Sequence, residues 1–585
     1  MAIKRSAAGL AALLFAGSAA AQEFQSPRFV LSTVDWDAAA KSVPDPREST
    51  IETFAALNKA LGARFTGIDK STVPVLLPVD LAALRKDKDD EKPEVATSNK
   101  YFGGFNPSKF FLAGPAGYDA TFWIDAGNAG FDFQYLKPIE IELGGAAYIY
   151  DLPGPNHQEV FPPPKEFAEK FPGMQRILRE NHVRYVFERF GAPYIVSIQC
   201  YDRRPSRKYL SCREADPVAQ RFLSNLATAG GTPGSTIPEP KVDLTRPQEQ
   251  SSDFTYFGPG DLISNSGWHK MPGRADYNVY ARIRFPIADA PAYIKSQSFM
   301  PWGDCYRTGR IGRIGRKGAP YHCRVNDKPL VFDESAAENW TYPWRDNFCE
   351  MRDFLVGQCP GGYGHQGEDM RPANCVLKEA NADRCLPYQH TIAAVHDGVI
   401  WRSLGNLGLY VAFNNENEHV RFRYLHMNPN MMDGDGLLSG RAISEGEIVG
   451  KVATWGDGKS GTSYHLHFNL QVFTKVGWVW VNPYMTLVAA YERLIGGRGI
   501  EIKPGDPAPP IPDKPPVILN PSTIVTTPAA PPTAVVPHPT IAVTPAEKPN
   551  AVVPSIIAPE PKARKSTAAK KPKHRNRPHR HRHHR

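Results

Sequence analysis

The sequence lacks any apolar run of 18 or more residues after its first 25 positions. A membrane-spanning helix needs about 20 consecutive apolar residues, so no transmembrane anchor is expected in the mature chain. The sequence also has no C-x-x-C spacing. This argues against a cysteine-ligated zinc site, in which cysteines usually occur in closely spaced pairs.

Residues 1–21 have the pattern of a secretory signal peptide. Lys4 and Arg5 precede the short apolar stretch Ala7–Ala16, and small residues follow up to Ala21. The alternative is an ordinary buried helix, but the A-x-A cleavage pattern comes directly after the apolar stretch. We therefore expect cleavage after Ala21 and a periplasmic or secreted protein. No cysteine lies near this point, so a lipid anchor is not indicated.

Eight cysteines fit such an export, because an even number in an oxidising compartment is typical of disulfides. Eight cysteines allow about 105 connectivities, and short loops favour pairing in sequence order. The predicted pairs are Cys200–Cys212, Cys305–Cys323, Cys349–Cys359 and Cys375–Cys385.

The N-terminal part, residues 22–225, is predicted to be an α+β domain of unknown role. Apolar residues at helical spacing predict a helix from Thr50 to Leu61, and a second helix is predicted over Phe167–Asn181. Ile139–Leu143 alternates as a half-buried strand does, and Tyr194–Ile198 is typical of a buried strand. This part contains no motif of recognisable chemistry.

Composition divides the rest of the chain. Residues 226–339 are predicted to be a linker, rich in Gly, Pro, Ser and Thr at its start, followed by a connecting element. Residues 340–490 are predicted to be a further domain, which contains the histidine and aspartate motifs described below. Residues 503–561 contain 18 prolines among 59 residues, which predicts a disordered, extended linker.

A basic tail, residues 562–585, ends the chain. It contains eleven Lys and Arg and no acid, while the whole chain has a net charge of +9, so the tail alone makes the protein basic. By simple electrostatics, its expected partners outside the cell are anionic envelope polymers. It has no aromatic residue for base stacking, so no specific nucleic acid is expected as a partner.

Histidine and aspartate occur in spaced motifs in the C-terminal half. His365 and Asp369 form H-x-x-x-D among glycines, and His465 and His467 form H-x-H. Between them, His426 follows a stretch in which polar and apolar residues alternate. Each motif alone arises by chance in many chains, but the three in this order indicate a metal site.

The H-x-H motif lies in a predicted strand. Side chains two positions apart in a strand point to the same face, so His465 and His467 should project together into one cleft. Leu466 and Phe468 can then anchor the opposite face in a core. Three imidazoles and one carboxylate on neighbouring strands can bind a metal with an open position, as catalytic zinc requires.

These motifs make residues 361–485 similar to the lysostaphin/LytM family of zinc endopeptidases that cut peptidoglycan. Five family elements occur in the family's order: H-x-G-x-D at His365–Asp369, an apolar strand ending in glycine at Ile392–Ile400, Y-x-H at Tyr424–His426, a glycine turn at Ile443–Gly450, and H-L-H-F at His465–Phe468.

The resemblance implies roles for five residues. His365, Asp369 and His467 would ligate zinc, while His426 and His465 would remain unligated, act on the water and stabilise the oxyanion. It also implies a mainly β catalytic domain whose antiparallel sheet lines an open groove. The implied activity is hydrolysis of peptide cross-links or stem peptides of peptidoglycan, with zinc as the cofactor.

The segment departs from the family pattern in places. An insert with Cys375 and Cys385 follows Asp369, Ser463 and Tyr464 replace a usual Gly-Pro, and Asn469 replaces a common acidic residue. The family also contains non-catalytic members that have lost ligands and activate other hydrolases. A non-catalytic envelope-binding or regulatory protein is therefore the alternative, although this chain keeps all the presumed ligands.

Three further histidines, His390, His396 and His419, lie in the same segment. Each fits a position in a loop or on a strand surface. None of them is assigned a direct role in the chemistry.

Overall fold

The computed structural model describes residues 24–507, with gaps of five or more residues at 87–98, 202–209, 289–293, 298–303, 308–320, 330–339, 373–384, 403–408 and 456–461. The described residues all belong to one compact unit. The predicted signal peptide, almost all of the proline-rich linker and the basic tail lie outside the described residues. No helix within the described part is long and apolar enough to cross a membrane.

The elements up to residue 257 are, in chain order, β1 Arg28–Leu31, α1 Trp36–Lys41, α2 Thr50–Leu61, β2 Val75–Leu77, α3 Leu81–Lys86, β3 Asn106–Gly114, β4 Gly117–Asp125, β5 Pro138–Ala146, β6 Tyr148–Asp151, β7 Glu159–Phe161, α4 Lys165–Lys170, β8 Gln175–Arg179, β9 His182–Arg189, β10 Ala192–Gln199, α5 Cys212–Ser224, β11 Ala227–Gly230 and β12 Gln250–Phe257. Short 3₁₀ helices lie at Ile68–Lys70, Asn99–Phe102 and, further on, Trp268–Lys270.

The remaining elements are β13 Ile294–Gln297, β14 Asp304–Arg307, β15 Tyr321–Val325, β16 Lys328–Pro329, β17 Trp340–Thr341, β18 Glu368–Pro372, β19 Thr391–Ala393, β20 Gly398–Trp401, β21 Leu409–Asn414, β22 His419–Leu425, α6 Pro429–Gly434, β23 Ala442–Ile443, β24 Ile448–Lys451, β25 Leu466–Thr474, β26 Gly477–Val481, α7 Tyr484–Ile495 and β27 Arg498–Ile502.

Two antiparallel sheets dominate this arrangement. The first has the order β3-β4-β5-β10-β9-β8-β7, and the second has the order β17-β13-β18-β25-β22-β21-β20-β23 with β26 also paired to β25. The described chain is therefore mostly β with antiparallel sheets, as predicted for the catalytic part. The α+β assignment of the N-terminal domain and the domain boundaries stay predictions.

Several predicted elements are present at the expected places. The helix over Thr50–Leu61 is confirmed, and the Ser49 hydroxyl accepts a hydrogen bond from the Glu52 N–H at its start. The strands predicted at Ile139–Leu143 and Tyr194–Ile198 lie within β5 and β10. These segments have strong local periodicity, which is the most reliable signal in a sequence.

The helix predicted over Phe167–Asn181 is wrong. Only α4 is helical there, and it ends at Lys170, after which the chain turns and continues as β8. Pro172 has no N–H to extend a helix. Gly173 has a φ of 75°, in the left-handed region that favours glycine. This Pro-Gly pair is the turn signal that outweighs the apolar spacing.

The disulfide predictions are confirmed where the structure describes both cysteines' side chains. Cys200 is bonded to Cys212, and Cys349 to Cys359. Cys385 is also in a disulfide, while its predicted partner Cys375 lies outside the described residues. Cys305 and Cys323 lie opposite each other in the β14–β15 register, and their bond stays a prediction.

Strand β25 is the centre of the second sheet. All nine of its residues are buried, so the sheet is covered on both faces at this strand. One cover is the first sheet, because Phe473 and Trp478 share a buried cluster with Val186 and Ile195. The long β25 therefore offers a rigid support for side chains at its N-terminal end.

A buried ionic cluster joins the two sheets. Arg421 of β22 donates to Asp119 of β4 at 2.9 Å and to Glu142 of β5 at 2.8 Å. Its guanidinium also lies 3.9 Å from the centre of the Trp478 ring. Burial would raise the pKa of Asp119, but Arg421 and His419 outweigh it and hold that pKa below its usual value. The cluster fixes the first sheet against the strand that leads to His426.

Replacing Arg421 by alanine is expected to lower the free energy of unfolding by about 3–5 kcal/mol, because the buried Asp119 and the half-buried Glu142 lose their arginine partner. Arg28→Ala is the matched control: its ion pair with Asp151 is largely exposed and should contribute about 0–1 kcal/mol. Urea unfolding followed by tryptophan fluorescence measures both. Equal losses in the two variants would contradict a buried role for Arg421.

Candidate metal centre

Strand pairing brings the two histidine motifs together. Asp369 of β18 lies opposite His467 of β25, and Leu425 of β22 lies opposite His467 on the other edge. His426 follows directly after β22. His365 precedes β18 by three residues, so the turn through Gly367 brings it back to the same place. A Cβ at Gly367 would lie only 2.3 Å from the Phe468 carbonyl oxygen, so this close approach requires glycine.

Three donor atoms converge at this point. His365 Nε2 lies 2.9 Å from His467 Nδ1 and 3.3 Å from Asp369 Oδ1, and His467 Nδ1 lies 2.7 Å from the same carboxylate oxygen. All three side chains are at most 5% exposed. The structure therefore brings together the three residues that the sequence predicts as metal ligands.

The other two predicted histidines lie beside them. His465 Nε2 is 3.2 Å from Asp369 Oδ1, and the His426 and His465 ring centroids are 4.7 Å apart. His426 has a φ of 66°, a left-handed conformation uncommon for a residue with a side chain. This turn directs the chain out of β22, and the His426 ring lies near both histidines of the H-x-H motif.

Burial controls the charge of these groups. It lowers the pKa of His365 and lowers that of His467 to about 3. Burial alone would raise the pKa of Asp369, but His365, His465 and His467 together hold it well below its usual range. The ligands are thus neutral imidazoles and an ionised carboxylate near pH 7, which are the protonation states that bind zinc.

The size of the cluster fits a zinc ion. Tetrahedral zinc with bonds of about 2.0–2.1 Å has donor atoms about 3.3–3.4 Å apart, and the observed separations are 2.7–3.3 Å. A movement of a few tenths of an ångström opens the triangle to that size. In addition, the buried His465 Nε2 forms no hydrogen bond within the described residues and lies 3.2 Å from Asp369 Oδ1.

A second ligand set overlaps the first. The donor atoms of His426, His465 and His467 also lie within 4.8 Å of one another. Both sets include His467, so a metal ion bound by one set leaves the other set without this ligand. The set with Asp369 includes the carboxylate and is the more deeply buried.

Residues that the sequence does not point to surround the ligands. The Asn347 carbonyl accepts a hydrogen bond from His365 Nδ1 at 2.9 Å, and Arg352 lies 3.4 Å from Asp369 Oδ2. Asn469 Nδ2 donates to the Gln366 carbonyl at 2.7 Å and also lies 2.7 Å from His467 Nε2. This amide therefore links His467 to the turn between His365 and β18.

The remaining histidines of the segment lie elsewhere. His390 Nδ1 is hydrogen-bonded to the Tyr464 hydroxyl at 2.6 Å. His396 contacts the carbonyl of Asp397 in a loop, and His419 pairs with Asp119 in the cluster between the sheets. None of the three belongs to either ligand set.

The chain matches no family model and no curated protein sequence. Among solved structures, it is similar to a protein assigned as a glycyl-glycine endopeptidase, lytM, from Ruminococcus gnavus. That similarity has 20% identity and a TM-score of 0.17, and covers 24% of this chain and 52% of the other. Lysostaphin, an antimicrobial peptidase from Staphylococcus simulans, is 21% identical with a TM-score of 0.14, over 22% of this chain and 45% of the other.

The chain thus spans about half the length of each of these two structures. At TM-scores this low, neither structure establishes the fold or the activity of this protein.

Proposed function

We propose that this protein is an exported zinc metalloendopeptidase that hydrolyses peptide cross-links or stem peptides of bacterial peptidoglycan. One observation carries the proposal: His365 Nε2, Asp369 Oδ1 and His467 Nδ1 converge within 2.7–3.3 Å in a buried cluster. Two nitrogen donors and one oxygen donor from the protein are a common set for catalytic zinc.

His365, Asp369 and His467 would hold the metal. The chemistry that zinc supplies in such sites is polarisation of a carbonyl and acidification of a water. The chain itself must then position the peptide and move protons, because a leaving amine needs a proton before it departs.

His465 and His426 are placed for that proton transfer. His465 Nδ1 lies 2.9 Å from the Ser463 carbonyl oxygen, and His426 Nδ1 lies 2.7 Å from that of Trp455. A carbonyl only accepts, so each Nδ1 carries the proton and each Nε2 keeps its lone pair. His465 Nε2 and His426 Nε2 are therefore the atoms that would accept a proton from water and return it to the leaving nitrogen.

The substrate class rests on the sequence motifs. The five elements from His365 to Phe468 occur in the order found in peptidases that cut cell-wall peptides. The names of the two similar structures, a glycyl-glycine endopeptidase and an antimicrobial peptidase, agree with this class. The predicted signal peptide would deliver the enzyme to the compartment that contains this substrate.

Removal of the metal is expected to stop the reaction. The mature protein is incubated with purified peptidoglycan, and the newly released amino groups and muropeptides are measured. 1,10-Phenanthroline should reduce release to the level of heat-denatured protein, and added zinc should restore it. The identity of the new amino terminus defines the bond that is cut.

The alternative is a non-catalytic envelope-binding or regulatory protein. It predicts that the protein sediments with peptidoglycan but releases no amino groups, with or without zinc. That result would reject the peptidase proposal, whereas chelator-sensitive release would reject the alternative.

A further inference from the structure

Asn347 connects two of the three presumed ligands. It is fully buried. Its side-chain oxygen accepts a hydrogen bond from the Asp369 N–H at 2.9 Å, and its side-chain nitrogen donates to the Asp369 carbonyl at 3.0 Å. The amide thereby pairs with the backbone of Asp369 as a neighbouring strand would.

This pairing has a consequence for the opposite edge of β18. The N–H and C=O of one strand residue point to the same edge, so those of Asp369 point to Asn347 and away from β25. Asp369 and His467 therefore form a non-hydrogen-bonded antiparallel pair, whose Cα atoms lie only about 4.5 Å apart. The close pair explains how Asp369 Oδ1 reaches His467 Nδ1 at 2.7 Å.

The main-chain carbonyl of Asn347 orients His365. The Asn347 carbonyl accepts from His365 Nδ1, so the proton stays on Nδ1 and Nε2 faces the cluster with a free lone pair. Metal-binding histidines commonly donate their second nitrogen to such an acceptor, which fixes both tautomer and ring orientation.

Asn347 is itself held from the other side. The Glu368 carboxylate accepts hydrogen bonds from the N–H groups of Asn347 at 3.0 Å and Phe348 at 3.2 Å. Downstream, Cys349 N–H donates to the His365 carbonyl at 2.9 Å, and His365 N–H donates to that of Glu350 at 2.8 Å. Hydrogen bonds therefore hold the segment around Asn347 against both His365 and the start of β18.

We propose that Asn347 is a positioning residue for the metal centre, which sets the orientation of His365 and Asp369 before the metal binds. This inference rests on the proposed function, because it assumes that these residues bind zinc. Loss of such an outer partner typically costs about 10–100-fold in metal affinity. Asn347→Ala keeps the main-chain carbonyl that accepts from His365 Nδ1, but it removes the side-chain amide that holds the main chain of Asp369. We expect a loss within this range, because that amide also fixes the position of the carbonyl.

Asn58 provides a matched control. Its side chain makes the same pair of hydrogen bonds to the backbone of Gly231, at 3.0 Å and 2.9 Å, but it belongs to α2 in the N-terminal part. Asn58→Ala should therefore cost similar stability and leave zinc affinity within about 3-fold of the unchanged protein, since no outer partner of the metal is lost.

The experiment measures zinc affinity of the full chain by competition with a chromophoric chelator, well below the unfolding temperature of each variant. The visible spectrum of the cobalt-substituted protein provides a second readout, which a purely structural role would not change. Asn347→Ala should bind zinc about 10–100-fold more weakly and change the cobalt spectrum. If it does not fold, Asn347→Ser, which is smaller but still polar, replaces it.

Zinc affinity and a cobalt spectrum like those of the unchanged protein in a folded Asn347 variant would overturn the inference, while leaving the proposed function intact. Equal losses in the Asn347 and Asn58 variants would also overturn it. If the unchanged protein bound no zinc, the proposed function would fail, and this inference with it.

Discussion

Replacing His467 by alanine is expected to lower zinc affinity by about 10²–10³-fold and to abolish peptidoglycan hydrolysis. Structural zinc sites bind with about 10–16 kcal/mol shared among four ligands, so one ligand contributes roughly 2.5–4 kcal/mol. His467 belongs to both overlapping ligand sets. Its loss should therefore disable the centre whichever set holds the metal.

Metal analysis after dialysis against weak chelator measures this effect. His396→Ala is the control, since His396 lies in a loop and contacts the Asp397 carbonyl. The control should keep full zinc content and activity. Stoichiometric zinc in the His467 variant would contradict the proposed centre.

The grouping of His465 and His467 could be predicted from local sequence. The alternation around His465 and His467 predicts a strand, and the strand period alone places both rings on one face. The structure confirms the strand, with Leu466 and Phe468 fully buried behind it. The resemblance of the motifs to a known family, rather than their spacing, implies that Asp369 and His365 join them.

The outer contacts could not be predicted in the same way. Asn347 lies 22 positions before Asp369, and no periodicity or motif links the two. Their contact depends on how the segment after Trp344 packs against β18, which is a tertiary property. Similarly, nothing local indicates that Arg421 would meet Asp119, some 300 positions away. In contrast, the Pro172–Gly173 pair is a local turn signal in the sequence, but the apolar spacing around it favours a helix.

The second large effect is expected for His465→Ala. This substitution distinguishes the two ligand sets, whereas a substitution of His467 affects both. If His365, Asp369 and His467 hold the metal, His465→Ala should keep zinc within a few-fold of normal. It should nevertheless lose about 10²–10⁴-fold in turnover, the usual contribution of a general acid or base. His365→Ala, by contrast, should lose zinc.

His426→Ala should resemble His465→Ala, because the Trp455 carbonyl keeps the proton on His426 Nδ1 and leaves the Nε2 lone pair for proton transfer. The experiment compares zinc content and turnover on a soluble cross-link peptide in the three variants. Zinc lost from the His465 variant but retained by the His365 variant would assign the metal to His426, His465 and His467. Near-normal turnover in both the His465 and His426 variants would instead show that neither ring transfers the proton.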